Sequence, residues 1–411
     1  MANVRPFAAI RPAKEKAKNI AALPYDVYNT QEARQAIEDE PYSFLRIDRA
    51  ETQFEEGHDM YAPDVYQKAH DLLWEMVDEG DFIRDEKPCY YIYELTMRGR
   101  SQTGIAACVS IDDYLNNVVK KHENTIYDKE IDRINHVNIC NAQTGPIFLA
   151  YRDSGTIDNV VEAVKGQKPE YDFLADDNVR HRVWIVSSKA QIKAIKSAFE
   201  RIDSIYIADG HHRAGSAVHV GQLRREKNPG YTGDEEFNYF LAVLFPDSEL
   251  EIMDYNRVVK DLNGLSPEEF LDAVSEVFDV ECLGTELAYP AGPGIFNMYL
   301  EGKWYSCEIR PEDRSNDPVE GLDVSILQNK LLAPILGIKD PKADKRIAFV
   351  GGIRGLTELE RRCSKDAKAA FAMYPTSISQ LFAVSDSGLL MPPKSTWFEP
   401  KLRSGLFIHE I

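Results

Sequence analysis

The chain has 411 residues, of which 44% are hydrophobic and 28% charged, the mixture of two or three folded domains or one large α/β body and not of a disordered tail. Lys and Arg total 48 against 67 Asp and Glu, a formal charge of −19, which disfavours a general nucleic-acid binder while leaving room for a local positive pocket around a small anion. Six scattered cysteines without a C-x-x-C pair argue against a disulfide frame or a zinc site, and no apolar run approaches the roughly 20 residues that span a bilayer, so the expectation is a cytoplasmic protein with neither a membrane nor a nucleic-acid partner.

The opening "MANVRPFAAIRPAKEKAK" is too broken by charge and proline for a signal peptide, and through "LPYDV" it reads as extended chain and turns. "TQEARQAIEDE" predicts a helix capped by Thr30. "DVYQKAHDLLWEMVDEG", residues 64–80, predicts a stronger one, with apolar residues recurring at three and four and a glycine at its end. "CYYIYELTMRGRSQTGIAACVSI" predicts two antiparallel strands joined by a tight Arg-Gly-Arg turn. In "VVKKHENTIYDKEIDRINHVNICNAQTGPIFLAY" a short apolar pair leads into charge, a helix follows, and a strand begins at Pro146. "HRVWIVSS" and "SIYIADG" read as strands flanking the helix "KAQIKAIKSAFER"; "HRAGSAVHVGQLRREK" reads as a helix and "YFLAVLF" as a buried strand. "SPEEFLDAVSEVF" carries a full start signal, with Ser266 as cap, Pro267 first and Glu269 closing a capping box. "FNMYLEGKWYSCEI" predicts a hairpin, and the last third alternates helix and short strand. There is no internal repeat. Hairpins mixed with helices predict an α+β fold with a mixed sheet, not a regular doubly wound one.

Four places could carry chemistry. In "DGHHR" a strand, an Asp-Gly turn and a helix put His211, His212 and Arg213 at a helix N-terminus, where backbone N–H groups and the helix dipole favour an anion; the alternative is an Asp N-cap with exposed histidines. In "KKHENT", Lys121, His122 and Glu123 could form a general base beside cations, or a solvated turn. In "MPPKSTWFEPKL", Lys394, Ser395 and Thr396 suit a small polar or phosphorylated ligand, or the loop is a rigid one that packs Trp397. "FVGGIRG" could be an anion nest or a structural turn, and it lacks the spacing of a P-loop. No H-x-x-x-H or H-E-x-x-H spacing aims two imidazoles from one helix, so no permanent metal centre is expected; Mg²⁺ carried by a nucleotide fits, because it needs only one or two carboxylates.

Taken together, "KHE" at 121–123, "DGHHR" at 209–213 and "PPKST" at 392–396 resemble, in the same order, the Pro-His-Glu, Asp-Gly-His-His-Arg and Ser-Pro-Lys-Thr-Thr segments of the archaeal free-serine kinases of the ParB/sulfiredoxin-like superfamily. Over nearly its whole length the chain is also similar to a bacterial family long known as a domain of unknown function, family 1015, through "RPF", "PYDV", "QTGIAA", "KHENT", "YIADGHHR", "DYNRVV", "FVGGIRG" and "MPPKSTWFEPKL". Members of that family have been connected to free-serine phosphorylation. Lys121 stands where the archaeal pattern has proline, Ser395-Thr396 replaces paired threonines, and the first gap is longer.

The resemblance implies a ParB/sulfiredoxin-like nucleotide-binding core enlarged by N-terminal and internal insertions. The expected parts are an N-terminal α/β region at 1–115, a core at 116–260, an inserted α/β region at 261–345 and a C-terminal segment at 346–411 that returns to the active site. It further implies a free L-serine kinase that moves a phosphoryl group from ATP or ADP, with Mg²⁺, to the serine hydroxyl; the product, O-phospho-L-serine, would feed serine and cysteine metabolism. Glu123 would be the base. Gly210, His211, His212 and Arg213, with Lys121 and His122, would hold the nucleotide, and His211, His212 and Arg213 would also act catalytically by stabilising charge over the transferred oxygens. Asp209 would hold the turn, or contact Mg²⁺ or the serine hydroxyl. Asn256, Arg257, Lys394, Ser395 and Thr396 would hold the substrate. The alternatives are a ParB-like nucleotide-binding or hydrolysing switch without a metabolite acceptor, and a metal-dependent hydrolase.

Overall fold

The computed structural model describes residues 1–124, 127–153, 155 and 157–411, and for residues 127–129 the backbone alone. The chain divides into two compact units, Met1–Leu250 with Pro400–Ile411, and Glu251–Glu399.

The first unit is built on a mixed sheet of nine described strands: β1 (Val4–Arg5), β2 (Tyr90–Met97), β3 (Arg100–Ser110), β4 (Val119–Lys120), β5 (Ile147–Tyr151), β6 (Tyr171–Leu174), β7 (Arg180–Val186), β8 (Ile205–Asp209) and β9 (Tyr239–Pro246). Its path is β4-β8-β5-β9-β3-β2-β7-β6, with β1 added on β3. The pairs β4/β8 and β5/β9 are parallel and the rest antiparallel, which is the mixed sheet expected from the sequence. β2 and β3 form the anticipated hairpin. Met97 pairs with Arg100, and Arg98 and Gly99 both take positive φ (51° and 81°), the two-residue turn that matches strand twist. β9 is buried along its whole length, which is why "YFLAVLF" is continuously apolar instead of alternating. Its side chains join Ile92, Ile105, Leu149 and Ile207 in the main core.

The helices of this unit include α1 (Thr30–Ile37), α2 (Pro63–Asp78), α3 (Tyr127–Cys140), α4 (Lys189–Phe199) and α5 (His211–Lys227). α3 packs on both α2 and α5. The cap of α1 is Asn29, not Thr30. Asn29 accepts the Glu32 N–H while the Glu32 carboxylate accepts the Asn29 N–H, so the reciprocal box forms one residue earlier. The Thr30 hydroxyl instead accepts from Arg49 at 3.2 Å. A satellite core of Phe44, Leu45, Ile47, Leu73 and Phe82 lies under the N-terminal helices and takes in Cys140 and Ile408. The final segment is stitched to the opening one by the bridges Ile10–Ile408 and Ala22–Ser404.

The second unit has a six-stranded antiparallel sheet, β11-β13-β12-β15-β10-β14, from β10 (Tyr255–Val259), β11 (Phe278–Gly284), β12 (Ile295–Leu300), β13 (Lys303–Ile309), β14 (Ile347–Gly351) and β15 (Ala369–Ala372). α6 (Pro267–Val277) packs on β11 and α7 (Leu356–Lys365) on β15. α6 starts as its sequence signals, with the Ser266/Glu269 box and Pro267 first. Trp304, wholly buried, anchors the core with Val258, Val350 and Leu359. "FVGGIRG" is a structural turn. A Cβ on Gly351 would stand 2.7 Å from the Trp397 ring, and one on Gly352 would run into the Asp254 carboxylate. Among the described residues no helix is long and apolar enough to cross a membrane.

Candidate functional site

β8 carries a register shift between Ile207 and Asp209 against β5, a local irregularity just before the turn. Gly210 then takes φ +93°, a left-handed conformation that a side chain disfavours, and α5 starts at His211. A Cβ here would also lie 3.0 Å from the Arg213 guanidinium. Gly210 is therefore the N-cap, a residue with no side chain of its own to cap the helix. The Asp209 carboxylate turns back, with Oδ1 accepting the Gly210 N–H at 2.9 Å. The alternative of an Asp N-cap with exposed histidines does not describe this turn, because His211 is buried too.

The buried partner of His211 is His122. The two rings meet edge to face with centroids 4.5 Å apart, so "KHE" and "DGHHR", far apart in the chain, share one place. His122 bonds to the Ile207 backbone, yet its Nδ1 has no partner among the described residues, and neither has His211 Nε2. Buried polar atoms are seldom left so. Burial lowers the His122 pKa to about 4; burial, then proximity to His122, holds His211 well below the usual imidazole range. Both rings are neutral at pH 7, so each can donate a proton to an anion or accept one, but neither contributes positive charge.

Cationic character comes from elsewhere. Arg213 gives Nη1 to the Pro146 carbonyl at 2.6 Å, and no carboxylate among the described residues is within ion-pair distance of it. Lys401 holds Asp209 Oδ2 at 2.9 Å. Burial pushes the Asp209 pKa up, but Lys401, Arg213 and the Lys401 hydrogen bond outweigh it and keep the carboxylate ionised far below its usual range. Lys401 was not singled out from sequence; its only signal is its place in the same string as Lys394. Lys121 is exposed, with its ammonium 4.6 Å from the Tyr114 ring centroid. Glu123, His212 and Arg213 are half-buried.

The remaining residues form a cluster within the second unit. Arg257 is buried, donates Nη1 to the Tyr255 carbonyl and Nη2 to the Lys394 carbonyl at 3.0 Å, and lies against Phe349; no carboxylate is within ion-pair reach among the described residues. Burial pushes its pKa down to about 10. Lys394 takes φ +61° and places its ammonium 5.7 Å from the Tyr255 ring centroid. The Ser395 hydroxyl donates to the Pro392 carbonyl at 2.6 Å, while the Ser395 carbonyl accepts from the Thr376 hydroxyl at 2.9 Å. Thr396 is half-exposed. Asn256 is wholly buried, with both ends of its amide used inside the unit: Oδ1 accepts the Met373 N–H at 2.8 Å and Nδ2 donates to Asp254.

The histidine pair should make the fold acid-sensitive. A neutral imidazole whose folded pKa lies below its unfolded one stabilises the fold above the unfolded value, and this is lost as pH falls. For His122 the window runs from 6.5 down to about 4, and the loss is on the order of 3 kcal/mol. Urea midpoints should fall across that window in the wild type, and the fall should be smaller in His122→Gln. Equal slopes in the two proteins would contradict the assignment.

A family model described as "Protein of unknown function (DUF1015)" matches residues 4–325, most of the chain. The chain belongs to the DUF1015 family. No curated protein matches this DUF1015 member. Solved structures similar to it include a free serine kinase in complex with AMP, at 14% identity over 73% of this chain and 92% of that one, with a TM-score of 0.35. SbnI with a C-terminal truncation, from Staphylococcus aureus, is 11% identical over 73% and 85%, with a TM-score of 0.38. A conserved hypothetical protein from Pyrococcus furiosus is 15% identical over 74% and 94%, with a TM-score of 0.35.

Proposed function

We propose that the first unit is a ParB/sulfiredoxin-like core that binds the phosphates of ATP or ADP at the start of α5, and that the protein transfers a phosphoryl group to the hydroxyl of free L-serine. The observation that carries the nucleotide reading is the convergence, at one helix terminus capped by glycine, of an arginine and two buried imidazoles; among the described residues the arginine has no carboxylate partner and each imidazole has an unpaired nitrogen. Helix N-termini of this kind favour phosphate, and a guanidinium can fork onto its oxygens. The order of the three motifs supports serine as the acceptor.

In the reaction, the serine hydroxyl oxygen bonds to the terminal phosphorus, and the bond from phosphorus to the bridging oxygen breaks. The nucleotide leaves as ADP or AMP, and Glu123 takes the hydroxyl proton. An alkyl hydroxyl is a poor nucleophile at neutral pH, so this base matters. Arg213 and the neutral imidazoles steady the charge spread over the transferred oxygens. Mg²⁺ would come with the nucleotide and neutralise phosphate charge. Asp209 is the carboxylate at the turn, and no group of three or more metal-binding side chains occurs among the described residues. In the second unit, Arg257, Lys394 and the Thr396 hydroxyl offer positive charge and a donor for a carboxylate or phosphate, while the Ser395 hydroxyl holds the loop through the Pro392 carbonyl.

Incubation with ATP or ADP and L-serine, followed by mass spectrometry, tests the reading. O-phosphoserine should accumulate only with serine and nucleotide together. Nucleotide hydrolysis that serine leaves unchanged would point to a switch and overturn the kinase.

A further inference from the structure

Within the first unit, a cavity of about 190 Å³ lies beneath Tyr25 and the N-terminal turn of the family's "PYDV" segment. A smaller space beside it shares Tyr25, Asp48, Arg133 and His136 and extends to Arg213. None of Tyr25, Asp48, Arg133 or His136 enters the phosphoryl-transfer scheme. The cavity is smaller than the roughly 300–1,000 Å³ of sites for drug-sized ligands, so its occupant is small.

Its carboxylates are held unequally. Asp48 is 4% exposed. Its Oδ1 accepts from the Thr144 hydroxyl at 2.9 Å, its Oδ2 accepts from no described residue, and no Lys, Arg or His nitrogen is within ion-pair distance. Asp132 is paired, receiving Arg133 Nε at 2.9 Å and the Tyr66 hydroxyl at 3.0 Å. Arg133 spends that edge of its guanidinium on Asp132, stacks over the Tyr25 ring at 4.1 Å, and extends Nη1 only as far as the Asp48 carbonyl at a long 3.5 Å. His136 gives no compensating charge, since burial and then Arg133 keep its imidazole neutral. A largely buried carboxylate whose nearest cation stands beyond ion-pair distance can receive a ligand that brings donors and positive charge together. An ammonium does so with three N–H bonds, and the slack Arg133 Nη1 beside it suits a carboxylate on the same small molecule. Tyr61, 51% exposed, stands at the rim.

We propose that this cavity is a binding site for a small free α-amino acid, with its ammonium on Asp48 and its carboxylate toward Arg133. This site is distinct from the acceptor site of the kinase reading, which stands or falls on O-phosphoserine; the probe is L-alanine, which has no hydroxyl to phosphorylate, and Asp48→Asn separates binding here from binding at an acceptor site. Calorimetry and thermal unfolding of the full chain without nucleotide should show L-alanine binding and stabilising, and L-lactate, which replaces the ammonium by a hydroxyl, doing neither. Asp48→Asn keeps the shape and an acceptor for the Thr144 hydroxyl while removing the negative charge. Its L-alanine affinity should fall on the order of tenfold to a hundredfold. No L-alanine binding, equal binding of L-lactate, unchanged affinity in Asp48→Asn, or stabilisation by KCl in place of L-alanine would each overturn the proposal. The comparison of L-alanine with L-lactate needs no variant, so absent L-alanine binding or equal L-lactate binding overturns the proposal even if Asp48→Asn fails to fold.

Discussion

Glu123→Gln should bind nucleotide as the wild type does and lose about 10²–10⁴-fold in serine-dependent turnover, the usual worth of a positioned base. The substitution keeps the size of the side chain and removes only its capacity to take a proton. Glu123 is half-buried and follows directly on His122, whose ring is packed against His211, so its backbone is tied to the turn that would hold the phosphates. Separate measurement of nucleotide affinity and turnover divides the possibilities. Wild-type turnover in a folded variant removes Glu123 as the base. A matched loss of affinity and turnover would make it a binding residue instead.

Arg213→Ala should act on the other quantity. Hydrogen bonds to charged groups contribute about 1.5–3 kcal/mol net, which corresponds to a nucleotide affinity lower by about 10–150-fold. The wild-type side chain spends one N–H on the Pro146 carbonyl and has no carboxylate partner among the described residues, which leaves donor capacity for a phosphate. Arg213→Lys should fall between the two, because it keeps the charge and loses the planar fork. Titration calorimetry with ADP measures all three, and an alanine variant that binds like the wild type would place the phosphates elsewhere.

The parts that were legible from sequence are those whose cause is local. The Ser266 box, the Arg98-Gly99 turn and the fully apolar β9 each follow from a few adjacent residues, and each is found where it was expected. The cap of α1 was placed one residue late because Asn29 and Thr30 are both good caps, and only the reach of Glu32 chooses between them. Glycine as the cap of α5 could be read only once the left-handed turn was in view. Lys401 was missed because nothing near it in sequence refers to Asp209; the pair is closed by the fold. Asp48 was missed for the same reason. Nothing in "FLRIDRA" refers to Thr144 or Arg133, the groups that bond to Asp48 from the segment after α3 and from α3 itself.

The chain leaves the first unit after Leu250 and comes back to it at Pro400. A ribosome therefore delivers Asp209 192 positions ahead of the ammonium that neutralises it. At about 5–20 residues per second that delay is on the order of 10–40 s. Throughout it the nascent polypeptide carries the β8 turn without Lys401 and the edge at Ile10 without Ile408, so the first unit cannot mature as a simple N-to-C succession of domains and must wait until the second has been synthesised.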